Sequence, residues 1–296
     1  MTQGARGTCG VVDFTTPDLT VEVTNWNLPT GLQRVIDPSS GDIDPRFVAV
    51  LSCNPIIGFS TRQLSILASF GISGAAAATV AAYMQVMDAN GVRNATSSKA
   101  TMATGFCIPQ SLTASQGGVA ELTCQVIGYS DGATAPIIFG SGAQPAAATA
   151  EAFTIGPVNI NGTAYDCESV TVDFGIQVNV DSSSGDVYPT AVSVMSRAPT
   201  IRLSCKENDA WTALGLTGLA QDTTDSTVYF RKLAANGTRT AEATAEHIKF
   251  TIDDGLISID TSSLATGSPA THDVVITPVW DGTAAILVLS AASAIT

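Results

Sequence analysis

Charge is scarce in this chain of 296 residues: only 13% are Asp, Glu, Lys or Arg, about half the share in an ordinary soluble domain. Basic side chains are the scarcest, 13 against 26 acidic ones, for a formal charge of −13. That balance argues against a free nucleic-acid clamp, which needs basic surface to displace counterions, but not against a channel wall that repels DNA. Histidine occurs only as His247 and His272, and the cysteines Cys9, Cys53, Cys107, Cys124, Cys167 and Cys205 include no CxxC pair. A structural zinc site is therefore not expected. Mostly buried thiols are, and no disulfide pairing can be deduced.

The start at Met1 lacks a basic stretch followed by an apolar one, so a secretory signal is not expected. Nor is a membrane span: the nearest approach, Ser69 to Met87, is broken by Gly71, Ser73, Gly74 and Thr79 and reads as a loop running into a strand. What is abundant is apolar material. With 45% hydrophobic residues, a mean hydropathy of +0.27 and 26 glycines, the chain can bury one large core or two ordinary ones.

The strongest positive signal is an internal repeat. Residues 39–60 align without a gap on 183–204, a shift of 144, with 11 identities in 22 positions where residue usage gives about two. Tyr83, Ala89, Asn90, Gly91 and Arg93 match Tyr229, Ala235, Asn236, Gly237 and Arg239 at a shift of 146. Gly117, Ala120, Asp131 and Gly132 match Gly267, Ala270, Asp281 and Gly282 at 150. A period near half the chain implies two copies of one domain, 1–148 and 149–296, joined within Gly140 to Ala152.

Each copy reads as mainly β with a short helix. Alternation over Leu19–Val23 and over Ser169–Phe174 predicts a first strand. Second strands are expected at Phe47–Leu51 and Ala191–Met195, and third ones at Ile56–Phe59 and Thr200–Leu203, with Pro55 or Pro199 between them. A helix follows, capped by Ser60 or Thr61 and burying Leu64, Leu67 and Ala68; its counterpart is capped by Asn208 and carries Trp211 and Leu214. Asn90-Gly91 and Asn236-Gly237 are expected in tight hairpins with both residues at positive φ. The last strands flank Asp131-Gly132 and Asp281-Gly282. Val92–Phe106 and Thr238–Ile248 read as extended loops of polar or small residues.

Reactive chemistry is thin. Neither histidine has a counterpart in the other copy or a nucleophile motif beside it, so both are assigned surface or strand-end roles, and Gly71-Ile72-Ser73-Gly74 falls one residue short of a nucleophile elbow. No Walker or dinucleotide-binding glycine pattern occurs. Asp37, Asp42, Asp44, Asp181 and Asp186 lack EF-hand spacing and fit turns better than calcium; Asp253-Asp254-Gly255 reads as another turn. Asn94, Asn161 and Asn236 head glycosylation-like triplets but, without a secretory route, read as coincidence. No cysteine recurs between the copies: Cys53 aligns with Arg197, Cys205 with Thr61 and Cys124 with Val274. No catalytic, cofactor-binding or metal residue is assigned, and the chain is not expected to be an enzyme.

The order of these features resembles that of the major tail tube proteins of long-tailed bacteriophages. The resemblance is carried by Gly41-Asp42, Pro45, Val48, Val50, Pro55 and Ile57, and again by Gly185-Asp186, Pro189, Val192, Val194, Pro199 and Ile201. It implies a β-barrel or sandwich-like domain flanked by a helix, here in two copies. Three chains would then close a ring of pseudo-sixfold symmetry, and rings would stack around an acidic lumen through which viral DNA passes without specific binding. Implied partners are the chain itself and other tail proteins such as tape measure, terminator, and baseplate or sheath; the implied location is the virion tail, after synthesis in the host cytoplasm. The rival readings are a head- or tail-decoration protein and, third, a secreted two-domain β adhesin.

Overall fold

Alternation in the sequence becomes alternation in space. Along Glu121–Gly128, Leu122, Cys124 and Val126 turn into the core, while Glu121, Thr123 and Gln125 stay partly exposed, as the two-residue period of a strand requires. A computed structural model describes residues 6–37, 44, 47–87, 92–146, 151–206, 219–222, 224–263, 266, 270–283 and 285–296. The first half contains β1 (Arg6–Thr16), β2 (Leu19–Glu22), β3 (Asn25–Asn27), β4 (Gln33–Asp37), β5 (Phe47–Ser52), β6 (Ile56–Thr61), α1 (Ser65–Phe70), β7 (Ala75–Met87), β8 (Ser97–Ser115), β9 (Glu121–Gly128) and β10 (Ile137–Gly142). The second contains β11 (Ala152–Ile160), β12 (Thr163–Tyr165), β13 (Cys167–Asp173), β14 (Ile176–Asp181), β15 (Ala191–Arg197), β16 (Thr200–Cys205), β17 (Leu219–Asp222), β18 (Ser226–Leu233), β19 (His247–Ile252), β20 (Gly255–Ser263), β21 (Thr271–Pro278) and β22 (Val288–Ser293). All their pairings are antiparallel.

Each half has two layers and an arm. In the first, β2-β1-β7-β8-β10 make one layer and β8-β9-β6-β3 the other, because the 19 residues of β8 run through both. In the second, β12-β11-β18-β19-β22 form a separate five-stranded sheet, and β20-β21-β16-β13 form the other layer. The layers bury aromatic rings between them: Phe14 of β1 lies 6.3 Å from Phe59 of β6, and Phe250 of β19 lies 6.1 Å from Phe174. The arms are two-stranded ribbons, β4-β5 and β14-β15.

Ladder after ladder in the first half recurs in the second. Trp26 opposite Phe59 becomes, 144 residues on, Val170 opposite Leu203. The bulge in β1 between Cys9 and Val12 recurs in β11 between Ile155 and Val158, 146 residues on. That in β8 between Pro109 and Ser111 recurs in β20 between Ile259 and Thr261, 150 on. Lys99 over the Tyr83 ring at 6.0 Å has its parallel in Lys249 over Tyr229 at 5.8 Å.

Close backbone approaches recur as well. A Cβ at Gly10 would stand 2.6 Å from the Tyr83 carbonyl oxygen, and one at Gly156 2.8 Å from that of Tyr229. Gly31 and Gly175 both sit at positive φ, +59° and +56°, and a Cβ there would collide with the carbonyl oxygen of Asn54 or of Ala198. Only glycine fits such a place.

The mainly-β reading holds, and the predicted strands fall on β2, β13, β5, β15, β6 and β16. Several details differ. No sheet closes into a barrel among the described residues. Ser60 and Thr61 do not cap α1: both lie in β6, and the helix begins after Leu64, with no side-chain cap. Thr61 Oγ1 is already engaged, donating to the Glu22 carbonyl at 2.6 Å and accepting from the Gln63 N–H at 3.0 Å. Leu64 and Leu67 are buried as expected, whereas Ala68 is exposed. The expected second helix, with Asn208, Trp211 and Leu214, lies outside the described residues, as do the first Ser-Gly-Asp turn and Asn90-Gly91.

At Asn236-Gly237 only glycine has positive φ. Asn236 instead uses Oδ1 to accept from the N–H and hydroxyl of Thr238. The stretch 97–106, taken as loop, is the first half of β8, where Ser97, Ala100 and Met102 are buried between β7 and β10. Small residues there are the mark of close layer packing, not of an unstructured segment.

Candidate functional site

The two halves meet strand to strand. Residues Ser169–Asp173 of β13 lie antiparallel to Ser111–Ser115 of β8, so β20-β21-β16-β13-β8-β9-β6-β3 is one continuous eight-stranded run. The ladder extends past both ends: Gln116 N–H donates to the Glu168 carbonyl at 2.6 Å, and Phe174 N–H to that of Gln110 at 3.1 Å. Because bonding alternates along an antiparallel pair, Val170 and Val172 direct their peptide groups at β8, and Thr171 directs its own at β16.

The arm of the second half reinforces this joint. Its tip is a tight turn in which Ser184 and Gly185 both have positive φ and Asp186 N–H closes on the Ser183 carbonyl at 2.9 Å. The chain beyond lies against the first half. Cys53 N–H donates to the Val187 carbonyl and Ser130 N–H to that of Pro189, both at 2.8 Å, and Tyr188 N–H donates to Gly132 at 3.3 Å. A Cβ on Gly132 would collide with the Asp186 carboxylate. Arg197 Nη1 donates to Ser73 Oγ, which gives the Gly71–Gly74 segment a contact between halves in place of an elbow.

Both sides of this joint have counterparts at the outer ends of the run. The shift of 144 carries Val170 and Val172 onto Trp26 and Leu28. There β3 pairs only with β6 among the described residues, and the same alternation, anchored by Ile56 N–H on the Pro29 carbonyl, turns the peptide groups of Trp26 and Leu28 to the open side. The shift of 150 carries Ser111–Thr113 onto Thr261–Ser263. Among the described residues these pair with β21 alone, because β17 covers β20 only from Gly255 to Ser258. The seat of the arm behaves likewise: Cys53, Ser130 and Gly132 map onto Arg197, Trp280 and Gly282, all exposed, Trp280 to 67%. The first arm, β4-β5, exposes Val35, Ile36, Phe47, Val48, Val50 and Leu51. An exposed edge with apolar side chains invites a further strand.

The residues considered for chemistry have structural positions. His247 is fully buried at the start of β19; its Nδ1 accepts from the Lys232 N–H at 3.1 Å, and its Nε2 lies 3.0 Å from the Ala241 carbonyl. This is a strand-end role, in the core and not on the surface. His272, on β21, is also buried, with Nδ1 2.9 Å from Ser262 Oγ. Asp186 closes the arm's tight turn, Asp253-Asp254 form a bend between β19 and β20 and not the expected turn, and Asp181 accepts a side-chain bond from Asn179. The side chains of Asp37 and Asp42 lie outside the described residues. Among the described residues no three His, Cys, Asp or Glu side chains gather as a metal site would need, and no helix is long and apolar enough to cross a membrane.

Turn chemistry separates the carboxylates. Asp131 Oδ1 accepts from Thr134 N–H at 2.7 Å and Ala133 N–H at 3.1 Å, and these bonds hold its carboxyl below the usual range. Asp253 is pushed up, first by its hydrogen bond with Asp225, then by desolvation and by the charges of Asp225, Asp254 and Asp281. Sequence reading missed the matching edges and the Gly31/Gly175 pair. The glycines sit at the same shift as the aligned block and were there to be found; the edges appear only once the pairing is known. No family model matches the chain, and no curated protein matches it either.

Proposed function

We propose that the chain is a structural subunit, the major tail tube protein of a long-tailed bacteriophage, built from two copies of one β unit. The observation that carries the reading is the joint between the halves, whose two sides recur as open edges at the ends of the same chain. A contact made once within a molecule and presented again at opposite ends is heterologous, and such contacts propagate head to tail until a ring closes. Two units per chain and six per ring give three chains. Leu28 on β3 of one chain then faces Ser262 on β20 of the next, and the apolar β4-β5 arm lies toward Arg197, Trp280 and Gly282.

The acidic balance suits a bore that passes DNA without gripping it, since like charge keeps the polyanion off the wall. Stacked rings would meet the tape measure, terminator, and baseplate or sheath proteins of the tail. Negative-stain imaging of the purified full chain, concentrated at physiological salt, tests this directly. Hollow rings or rods are expected. A particle that stays monomeric under these conditions and binds only to capsids or preformed tails would replace this function with the decoration role.

A further inference from the structure

Two of the cysteines face each other across a strand pair, beside the joint between the halves. Cys167 on β13 stands opposite Cys205 on β16, and their sulfurs are 2.9 Å apart, within about 1 Å of an S–S bond length. The next step of the ladder is a hydrogen-bonded one, with Lys206 N–H donating to the Asp166 carbonyl at 3.0 Å. The cysteines therefore occupy a non-hydrogen-bonded site, where facing side chains come closest and Cα atoms lie about 4.5 Å apart, inside the disulfide range. Their access differs: Cys205 is fully buried, whereas Cys167 is partly exposed and lines a cavity of about 620 Å³ with Tyr165, Glu168, Lys206 and Arg231.

We propose that Cys167 and Cys205 form a redox-controlled cross-strand disulfide, with Cys167 as the entry thiol and Cys205 as the resolving thiol. With glutathione disulfide as oxidant, the Cys167 thiolate attacks one glutathione sulfur. The glutathione S–S bond breaks, one glutathione leaves as a thiol, and the other stays on Cys167 as a mixed disulfide. Cys205 then attacks the Cys167 sulfur, and the second glutathione leaves with its proton. The protein gives up two electrons and two protons, and glutathione disulfide takes both. A reducing compartment keeps the pair as thiols, and an oxidising one closes it. The bond would tie β13, the second half's strand at the joint, to β16 behind it.

None of the other described thiols combines a facing thiol with an open approach. Cys53 Sγ donates to the Thr30 carbonyl at 3.3 Å. Cys107 and Cys124 are sealed in the core, and burial, with the neighbouring Cys107 thiol, pushes the Cys124 thiol well above its ordinary value, which leaves little thiolate to react. The proposal does not depend on the tube reading.

The test treats the folded full chain with glutathione disulfide, alkylates remaining thiols after unfolding, and maps peptides by mass. The expected product is one species lighter by two hydrogens, with the Cys167 and Cys205 peptides linked and the other four cysteines alkylated. Cys205→Ser, or Cys205→Ala if the serine variant misfolds, is expected to retain one glutathione on Cys167; Cys167→Ser is expected to carry none on Cys205; Cys53→Ser is expected to close as the parent does. Six alkylated cysteines in the treated parent, a linkage between any other pair, or a folded Cys205 variant without an adduct would each overturn the assignment.

Discussion

The same strand is whole in one half and broken in the other. In the first half β8 runs unbroken from Ser97 to Ser115, carrying both layers on one backbone; in the second its counterpart stops at Ile252 and resumes at Gly255. The residues at the break are Asp253-Asp254, where the first half has Ala103-Thr104. Asp225 and Asp281 add charge beside Asp253. The wider imbalance runs the same way, with 9 acidic and 6 basic residues over 1–150 against 17 and 7 over 151–296. Ladder register and bulges persist through this difference, so pairing geometry tolerates a change of charge that strand continuity does not.

The comparison between halves can be broken most sharply at the joint. Val172→Pro removes a peptide N–H aimed at β8, orphaning a buried carbonyl at a cost of about 1–3 kcal/mol, with the ring's collision with β8 in addition. Calorimetry is expected to show a markedly lower melting temperature. Leu28→Pro makes the same change at the open edge; it is expected to leave the monomer's melt far less altered and to abolish rings in negative stain. Equal losses of stability at the two sites would show that the Leu28 edge is not open in the monomer.

Gly175→Ala and Gly31→Ala sharpen the comparison, because each forces a Cβ onto a carbonyl oxygen at positive φ. Each is expected to cost about 1–3 kcal/mol, and urea titrations should give similar values for the two. A smaller effect on folding is expected from Phe47→Asp on the exposed first arm: within about 0.5 kcal/mol in the same titration, with sedimentation reporting loss of assembly.

The smallest effect is the dependence on pH, and it has opposite signs at two aspartates. Asp131 has a lowered folded value, so its contribution is present above the ordinary 3.8 and is lost as pH falls through the folded value. Asp253 has a raised one, so the fold is penalised as pH climbs from 3.8 through that value and beyond. Asp131→Asn is therefore expected to lower the melting temperature at pH 7, and Asp253→Asn to raise it slightly. Both differences should vanish in melts at pH well below 3.

Much of the architecture was legible: alternation places Leu19–Glu22 and Cys167–Asp173, and the Ser-Gly-Asp turn and the following proline frame Phe47–Ser52 and Thr200–Cys205. β8 was misread because Ser97, Ala100 and Gly105 look like loop residues until neighbouring layers press against them. The helix start was misread because an N-cap preference gave way to pairing, with Thr61 drawn into β6. The candidate interface was the least legible part. An edge is a property of what a strand lacks beside it, and Trp26, Leu28 and Ser262 carry no local mark of that.

β8 also has a mechanical meaning. Nineteen residues of extended chain reach about 60 Å, from the pairing with β10 at one end to the pairing with β13 at the other. A pull on either end of β8 meets extended backbone all the way, so the first half acts as a stiff rib, while in the second the bend at Asp253-Asp254 can straighten before the chain is taut.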